Sequence, residues 1–420
     1  MLASVVLVTY TITEMERAGR RTSRSLLSET IIRHCHLVSF YLLIVFALNM
    51  VHTWRGSLHS NRLATVTSPQ MISAAPKYRV ETVAGGLEVP WAIVFAPDGR
   101  VFFTERPGRV RVIEQGRLRA EPLARLADAA PSAESGLMDL TLHPRFSENH
   151  WLYLVYVYHD RGQRIRVMRF REVNNSLTDP KVIIEGIPGA PYHAGSRIRF
   201  GPDSKLYITT GDASDGRLAQ RLDSLAGKTL RLNDDGTVPS DNPFVSQPGV
   251  RAEIWSYGHR NAQGLAWQPI TNLMYQTEHG PSPGFDGREG GDEVNVVERG
   301  KNYGWNRISH RETQSGMESP LLEYTPAVAP ASAMFYQGEM FPSFRGDFFF
   351  GTLRGESIIH VRFDGSRVVN QERLCEGRYG RIRDVAEAPD GAIYFSTSNR
   401  DGRGVPGKED DRILRLVLVR

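Results

Sequence analysis

The chain has 420 residues, and its 51 Lys plus Arg against 47 Asp plus Glu give a formal net charge of +4. Charges of both signs are interspersed and no basic stripe follows the N-terminal region, which excludes the electrostatic footprint of a nucleic-acid binder. Hydrophobic residues make up 40% of the chain, enough for a sizeable core, while 39 Gly and 24 Pro spread along it indicate many short elements joined by tight turns.

In chain order, residues 1–52 read as a leader. Leu37 to Val51 (LVSFYLLIVFALNMV) is apolar and follows Arg17, Arg20, Arg21, Arg24 and Arg33, the order of a positive n-region and an apolar h-region. The stretch is shorter than the ~20 residues of a comfortable transmembrane helix, so it reads as a signal peptide, with a periplasmic or secreted product. No A-x-A site follows, and the alternative is an uncleaved membrane anchor through residues 37–51 with the rest facing the periplasm. Residues 53–77 read as a polar linker. The cysteines are Cys35 in the leader and Cys375 far downstream, so no internal disulfide is expected.

From residue 78 to 420 one phrase recurs: an apolar strand, a Pro-centred turn, then a second strand rich in Tyr and Phe. The six copies are WAIVFAPDGRVFFTE (Trp91 to Glu105), LTLHPRFSENHWLYLVYVY (Leu140 to Tyr158), IRFGPDSKLYITTG (Ile198 to Gly211), LAWQPITNLMYQTE (Leu265 to Glu278), MFPSFRGDFFFGTL (Met340 to Leu353) and VAEAPDGAIYFSTS (Val385 to Ser398). Asp-Gly after Pro favours a hairpin turn, and alternating β-branched and aromatic residues suit half-buried strands. Starts separated by roughly 45 to 75 residues leave room for four-stranded blades with long loops, which predicts an all-β, six-bladed β-propeller rather than a solenoid. The last strand, ILRLVLV (Ile413 to Val419), is expected to close the ring on the first blade beside YRVETVA.

Four loops between the hairpins carry unusual chemistry. In PYHAGSRIRF and TTGDASD, His193 and Asp212 flank one hairpin; a histidine base needs a carboxylate to orient it, though a turn histidine bonded to backbone has the same pattern. In GHRNAQGL, Arg260, Asn261 and Gln263 offer a planar fork and amide donors for a flat, oxygen-rich ligand, or else a polar turn. In the glycine-rich segment from Glu278 to Trp305, Asp292 and Glu293 provide hard oxygen donors that suit calcium rather than zinc, a solvated acidic turn being the alternative. Arg354, Arg381 and Arg383 form a guanidinium group, and Arg381 with Arg383, two apart on a strand, share one face that could clamp a polycarboxylate or simply be exposed.

Several longer phrases, in order, resemble the soluble pyrroloquinoline-quinone (PQQ) sugar dehydrogenases of the glucose/sorbosone dehydrogenase family, especially the bacterial aldose sugar dehydrogenases. They are PWAIVFAPDGRVFFTE, HAGSRIRFGPD with LYITTGD, LAGKTLRLNDDGTVPSDNPF, RAEIWSYGHRNAQGL, EHGP with GGDEVNVVERGKNYGW, and RIRDVAEAPDG, covering nearly everything after Tyr78. The resemblance implies oxidation of an aldose at C1 to the lactone, with hydride passing to PQQ and electrons leaving to an external acceptor. It implies that His193 is the general base, Asp212 its partner, and that Arg260 polarises the quinone carbonyl. Asn261, Gln263, Arg354, Arg381 and Arg383 would hold PQQ with His193. The carbonyls of Gly280 and Pro281 would bind Ca2+ beside the cofactor, and Glu293, Tyr303 and Asp292 would serve a second, structural calcium site.

The chain departs from that pattern in places. Glu134, also assigned to the cofactor site, stands where relatives often carry Gln, and a carboxylate near an anionic cofactor is repulsive unless protonated or paired. Arg354 replaces a typical Lys, Ala327 a Thr and Ser196 a Gly, and the insert SPGFDGRE (Ser282 to Glu289) interrupts the calcium loop. The competing readings are a calcium-dependent propeller lactonase or esterase, which needs no arginine clamp, and a non-catalytic propeller that binds a protein partner.

Overall fold

The structure, a computed structural model, describes residues 76–365 and 367–419. The expected signal or anchor segment therefore lies outside the described residues, among which no helix is long and apolar enough to cross a membrane. Ala75–Arg420 forms one compact unit.

Strand β1 (Tyr78–Ala84) precedes the first blade, which consists of β2 (Pro90–Phe95), β3 (Val101–Glu105), β4 (Arg109–Glu114) and the short β5 (Arg117–Leu118) and β6 (Ala124–Arg125). The second blade is β7 (Leu137–Leu142), β8 (Trp151–His159), β9 (Gln163–Val173) and β10 (Ser176–Pro188); the third is β11 (Gly195–Phe200), β12 (Leu206–Thr210), β13 (Lys228–Leu232) and β14 (Ile254–Tyr257). The fourth holds β15 (Ala262–Trp267), β16 (Met274–Glu278), β17 (Asp292–Val297) and β18 (Leu322–Tyr324), and the fifth β19 (Pro330–Phe335), β20 (Phe348–Thr352), β21 (Ser357–Asp364) and β22 (Arg367–Leu374). The sixth is β23 (Ile382–Glu387), β24 (Ile393–Thr397) and β25 (Ile413–Leu418), completed on its outer edge by β1. Neighbouring first strands β2, β7, β11, β15, β19 and β23 touch in a closed ring, so the all-β, six-bladed propeller expected from the repeats is the fold.

Two expectations change in detail. MFPSFRGDFFFGTL is not a hairpin: its first half is a connection containing a 3-10 turn at Pro342–Phe344, and the strand that pairs with β20 is the preceding β19. Phe341 and Phe344 are apolar because they are buried against Tyr336 beneath that turn, not because they lie in a strand. Closure also differs. β25 does pair with YRVETVA, but that segment belongs to the last blade, so an N-terminal strand and three C-terminal strands share one sheet. Sharing ties the two ends of the propeller chain into one sheet and closes the ring, with β1 as its outermost strand.

Inner and outer strands differ in pattern for a packing reason. β12 and β16 are buried on both faces because each lies between neighbouring blades, whereas β22, on the rim, alternates exposed and half-buried residues. Around the axis, Arg197 is 1% exposed and lies over the Trp91 ring at 4.4 Å. It pairs with Asp139 at 3.0 Å and Asp384 at 3.3 Å, and those carboxylates also accept from the backbone N–H of Ile198 and Ile93. This network ties the first strands of four blades together beneath the site.

Candidate active site

His193 sits on the turn entering β11, with φ 57°. That turn packs directly on the turn after β12, an approach that requires glycine: a Cβ on Gly211 would lie 1.8 Å from the His193 carbonyl oxygen. The two turns bring His193 Nδ1 to 2.9 Å from Asp212 Oδ1. The Asp212 carboxylate also accepts from the Ser214 N–H at 2.8 Å and from the Trp305 indole N–H at 2.7 Å. With Nδ1 directed at a carboxylate, the neutral ring carries its proton there and Nε2 is the basic nitrogen.

Arg260 enters from the loop before β15, and its own carbonyl accepts from the Asp212 N–H at 2.8 Å. The guanidinium lies 5.3 Å over the Trp305 ring and donates to Asp286 at 2.8 Å and to the Ser282 hydroxyl at 3.2 Å. Trp305 thus supports both Asp212 and Arg260. Asn261 accepts from the Gly195 N–H at 3.0 Å and from the Gln263 amide at 3.2 Å, while Gln263 accepts from Arg383 at 3.1 Å. Arg381 and Arg383 converge on Asp401, at 2.8 and 3.7 Å, so they share one face as their spacing predicted. Burial lowers Arg383 to about 10, with Asp401 opposing the shift. Arg354 does not join this group; it is half-exposed and paired with Glu289 of the insert at 2.5 Å. Glu134 reaches the group from the second blade, accepting from the His193 N–H at 3.3 Å.

Among the described residues, four of the twelve buried side-chain atoms without a hydrogen-bond partner belong to this face: Arg260 Nε, Asn261 Nδ2, Arg383 Nε and His279 Nε2. Leaving a buried polar atom unpaired costs about 1–3 kcal/mol, and native structures keep such atoms mainly where a ligand or water completes them. Two guanidinium nitrogens and an amide nitrogen form a donor set for a flat anion rich in oxygen.

Beside it lies a small cavity whose lining includes Arg260, Glu278, Gly280, Pro281, Glu293 and Tyr303. Burial pushes the Glu293 carboxyl well above the usual carboxylate range, and the adjacent Glu278 adds to the shift. Glu293 accepts from Asn295 Nδ2 at 2.9 Å, while Asn295 Oδ1 is buried without a partner. The buried Glu278 and half-buried Glu293 carboxylates, lining one cavity, suit a hard cation. Among the described residues no three His, Cys, Asp or Glu side chains converge as a ready metal cluster, so a cation here would draw on backbone carbonyls as well.

The other two residues assigned to metal are placed differently. Asp292 is a backbone clamp, its oxygens accepting from the N–H groups of Gly280, Val328 and Ala329 at 2.8, 2.7 and 2.7 Å. The Tyr303 hydroxyl donates to the Val296 carbonyl at 2.6 Å and accepts from the Glu298 N–H, so it is engaged by backbone. Sequence reasoning passed over Glu278, Trp305 and Asp401. The first two lie inside quoted phrases, and Asp401 had no signal beyond a polar loop.

The profile of the Glucose / Sorbosone dehydrogenase family matches residues 87–415. The chain belongs to the glucose/sorbosone dehydrogenase family. It is similar to aldose sugar dehydrogenase YliI of Escherichia coli (strain K12), being 33% identical over 355 residues, 80% of this chain and 94% of that protein. The soluble aldose sugar dehydrogenase structure from Escherichia coli in the apo-form matches with a TM-score of 0.74 at 31% identity, over 82% of this chain and 100% of that one. The PQQ-bound aldose sugar dehydrogenase from Streptomyces coelicolor matches with a TM-score of 0.71 at 32% identity, over 82% and 100%. This glucose/sorbosone dehydrogenase family member is an oxidoreductase acting on sugars.

Proposed function

We propose that the chain oxidises aldoses at C1 to the lactone, with PQQ as the bound acceptor, His193 as general base and calcium beside the cofactor. The observation that carries the reading is the convergence of unpaired buried nitrogens on Arg260, Asn261 and Arg383 next to the His193–Asp212 pair. PQQ is a flat tricarboxylate quinone, and that donor set fits it. Bound PQQ supplies the two-electron acceptor for the hydride leaving C1.

The chain's own residues supply the rest. His193 Nε2 accepts the proton of the anomeric hydroxyl, and Asp212 holds the ring in the required tautomer and stabilises the imidazolium that forms. Arg260 offers Nε to an oxygen gaining negative charge, its plane supported by Trp305. Asn261, Gln263, Arg381 and Arg383 orient the cofactor. Glu293, Glu278 and the carbonyls of Gly280 and Pro281 would hold calcium, whose charge would relieve the repulsion between the two carboxylates. Electrons leave to an external acceptor. Export to the periplasm or medium belongs to the same proposal and rests on the apolar stretch at residues 37–51.

The test is reconstitution of the apo-protein with PQQ and calcium, followed by reduction of an artificial dye with a panel of aldoses. Dye reduction is expected with at least one aldose. A preparation that opens lactones but reduces no dye would overturn the proposal.

A further inference from the structure

Glu134 and Arg403 come from loops of blades on either side of the first blade and meet beside the base. Glu134 precedes β7, and Arg403 lies on the loop between β24 and β25. Arg403 Nη1 is 3.1 Å from Glu134 Oε1, while Glu134 Oε2 accepts from the His193 N–H at 3.3 Å. The Arg403 guanidinium also lies over the Tyr192 ring at 5.2 Å, so residues from three loops close around one ion pair.

The loop holding Arg403 is itself anchored in the site. Asp401 accepts from the Arg403 N–H at 2.9 Å with one oxygen and from Arg381 Nε at 2.8 Å with the other. Burial alone would push the Glu134 carboxyl up, but His279, Arg403 and His193 outweigh it and hold it below the usual range.

We propose that Arg403 is a positioning residue of the cofactor site, the built-in counter-ion of Glu134, so that an anionic ligand meets a neutral ion pair instead of a bare carboxylate. The inference rests on the reading of this face as a PQQ pocket. Without Arg403, the Glu134 carboxylate would both repel the ligand's carboxylates and compete for Arg381 and Arg383. Arg403 itself need not touch the ligand.

The experiment is titration of apo-protein with PQQ in the presence of calcium, read by absorbance and tryptophan fluorescence. It compares the unaltered protein with Arg403→Ala, Arg403→Lys, Glu134→Gln and the Glu134→Gln/Arg403→Ala double variant, each checked for fold by circular dichroism. Arg403→Ala is expected to weaken PQQ binding about tenfold, from one uncompensated charge at moderate distance, and Arg403→Lys to restore most of it. In the Glu134→Gln background, removing Arg403 is expected to change binding by less than about twofold. Equal loss in both backgrounds, or no loss in either, overturns the counter-ion role while leaving the PQQ pocket standing. Failure of the unaltered protein to bind PQQ overturns both the pocket reading and this inference.

Discussion

Replacing Asp212 by Asn keeps the shape of the side chain and reverses one of its atoms from acceptor to donor. The wild-type carboxylate takes protons only: from His193 Nδ1, from the Ser214 N–H and from the Trp305 indole. Ser214 N and Trp305 Nε1 can only donate. If the new NH2 faces Trp305, two donors oppose each other; if it faces His193, it opposes Ser214 and forces the ring to carry its proton on Nε2. The second arrangement removes the basic nitrogen from the substrate side. Loss of the correct tautomer removes general-base catalysis worth about 10²–10⁴-fold, and the serine-protease analogue of this change costs about 10⁴. A kcat lowered by about 10³, or about 4 kcal/mol in barrier, is expected, with KM for the aldose changed little. Steady-state dye reduction with reconstituted enzyme measures it, and a PQQ titration shows whether the cofactor still binds. A variant with kcat within about tenfold of wild type, at full cofactor occupancy, would refute the argument that Asp212 sets the tautomer of His193.

His193→Ala should abolish turnover while leaving PQQ affinity nearly intact, and unchanged turnover would remove the base assignment. Calcium at about 100 times its dissociation constant should stabilise the protein by about 2.7 kcal/mol, visible as a rise of several degrees in Tm. In Glu293→Gln that increment should disappear while the calcium-free protein is no less stable, because the variant removes a carboxylate that Glu278 repels; an unchanged calcium increment would count against the assignment. Far from the site, Arg100 makes a bidentate bond to Glu172 at 2.8 Å, and that contact holds the Glu172 carboxyl below the usual range. A lowered acid contributes stability above its unfolded value and loses it as pH falls through the lowered one, so denaturant unfolding from pH 7 to 3 should show a steeper acid decline in wild type than in Glu172→Gln. Equal slopes would mean that the pair carries no linkage.

The propeller was legible because each blade's inner hairpin is local: Pro and Asp-Gly mark the turn, and the flanking strands are buried on both faces whatever the chemistry nearby. Blade five misled for the same reason. The turn from Met340 to Asp347 is apolar, contains Pro342 and Gly346, and imitates a strand and turn, while the true first strand, PASAMF, is rich in small residues because all six of its residues are buried. His193 and Asp212 were legible because one hairpin places them 19 residues apart. Partners separated by blades were not: Trp305 reaches Asp212 across 93 residues, and Arg383 reaches Gln263 across 120.

The metal loop shows why composition cannot separate a ligand from a clamp. Asp292 and Glu293 are adjacent on a strand and must point to opposite faces. One face meets the N–H groups of Gly280, Val328 and Ala329, which consume Asp292; the other meets Glu278, and only there do two carboxylates crowd one cavity. Glu278 closes the second strand of its blade as Glu105 does in blade one, and both accept a backbone N–H from the approach to the first strand, from Arg260 and Glu88 respectively. The repeat therefore predicts a structural acid at this position. Glu105 also binds Arg109 and Arg111, which neutralise it within its own blade, whereas Glu278 faces His259 and Glu293. The same scaffold position is a closed ion pair in one blade and half of an acidic cavity in another, and the residue that decides between them is the neighbour across the sheet.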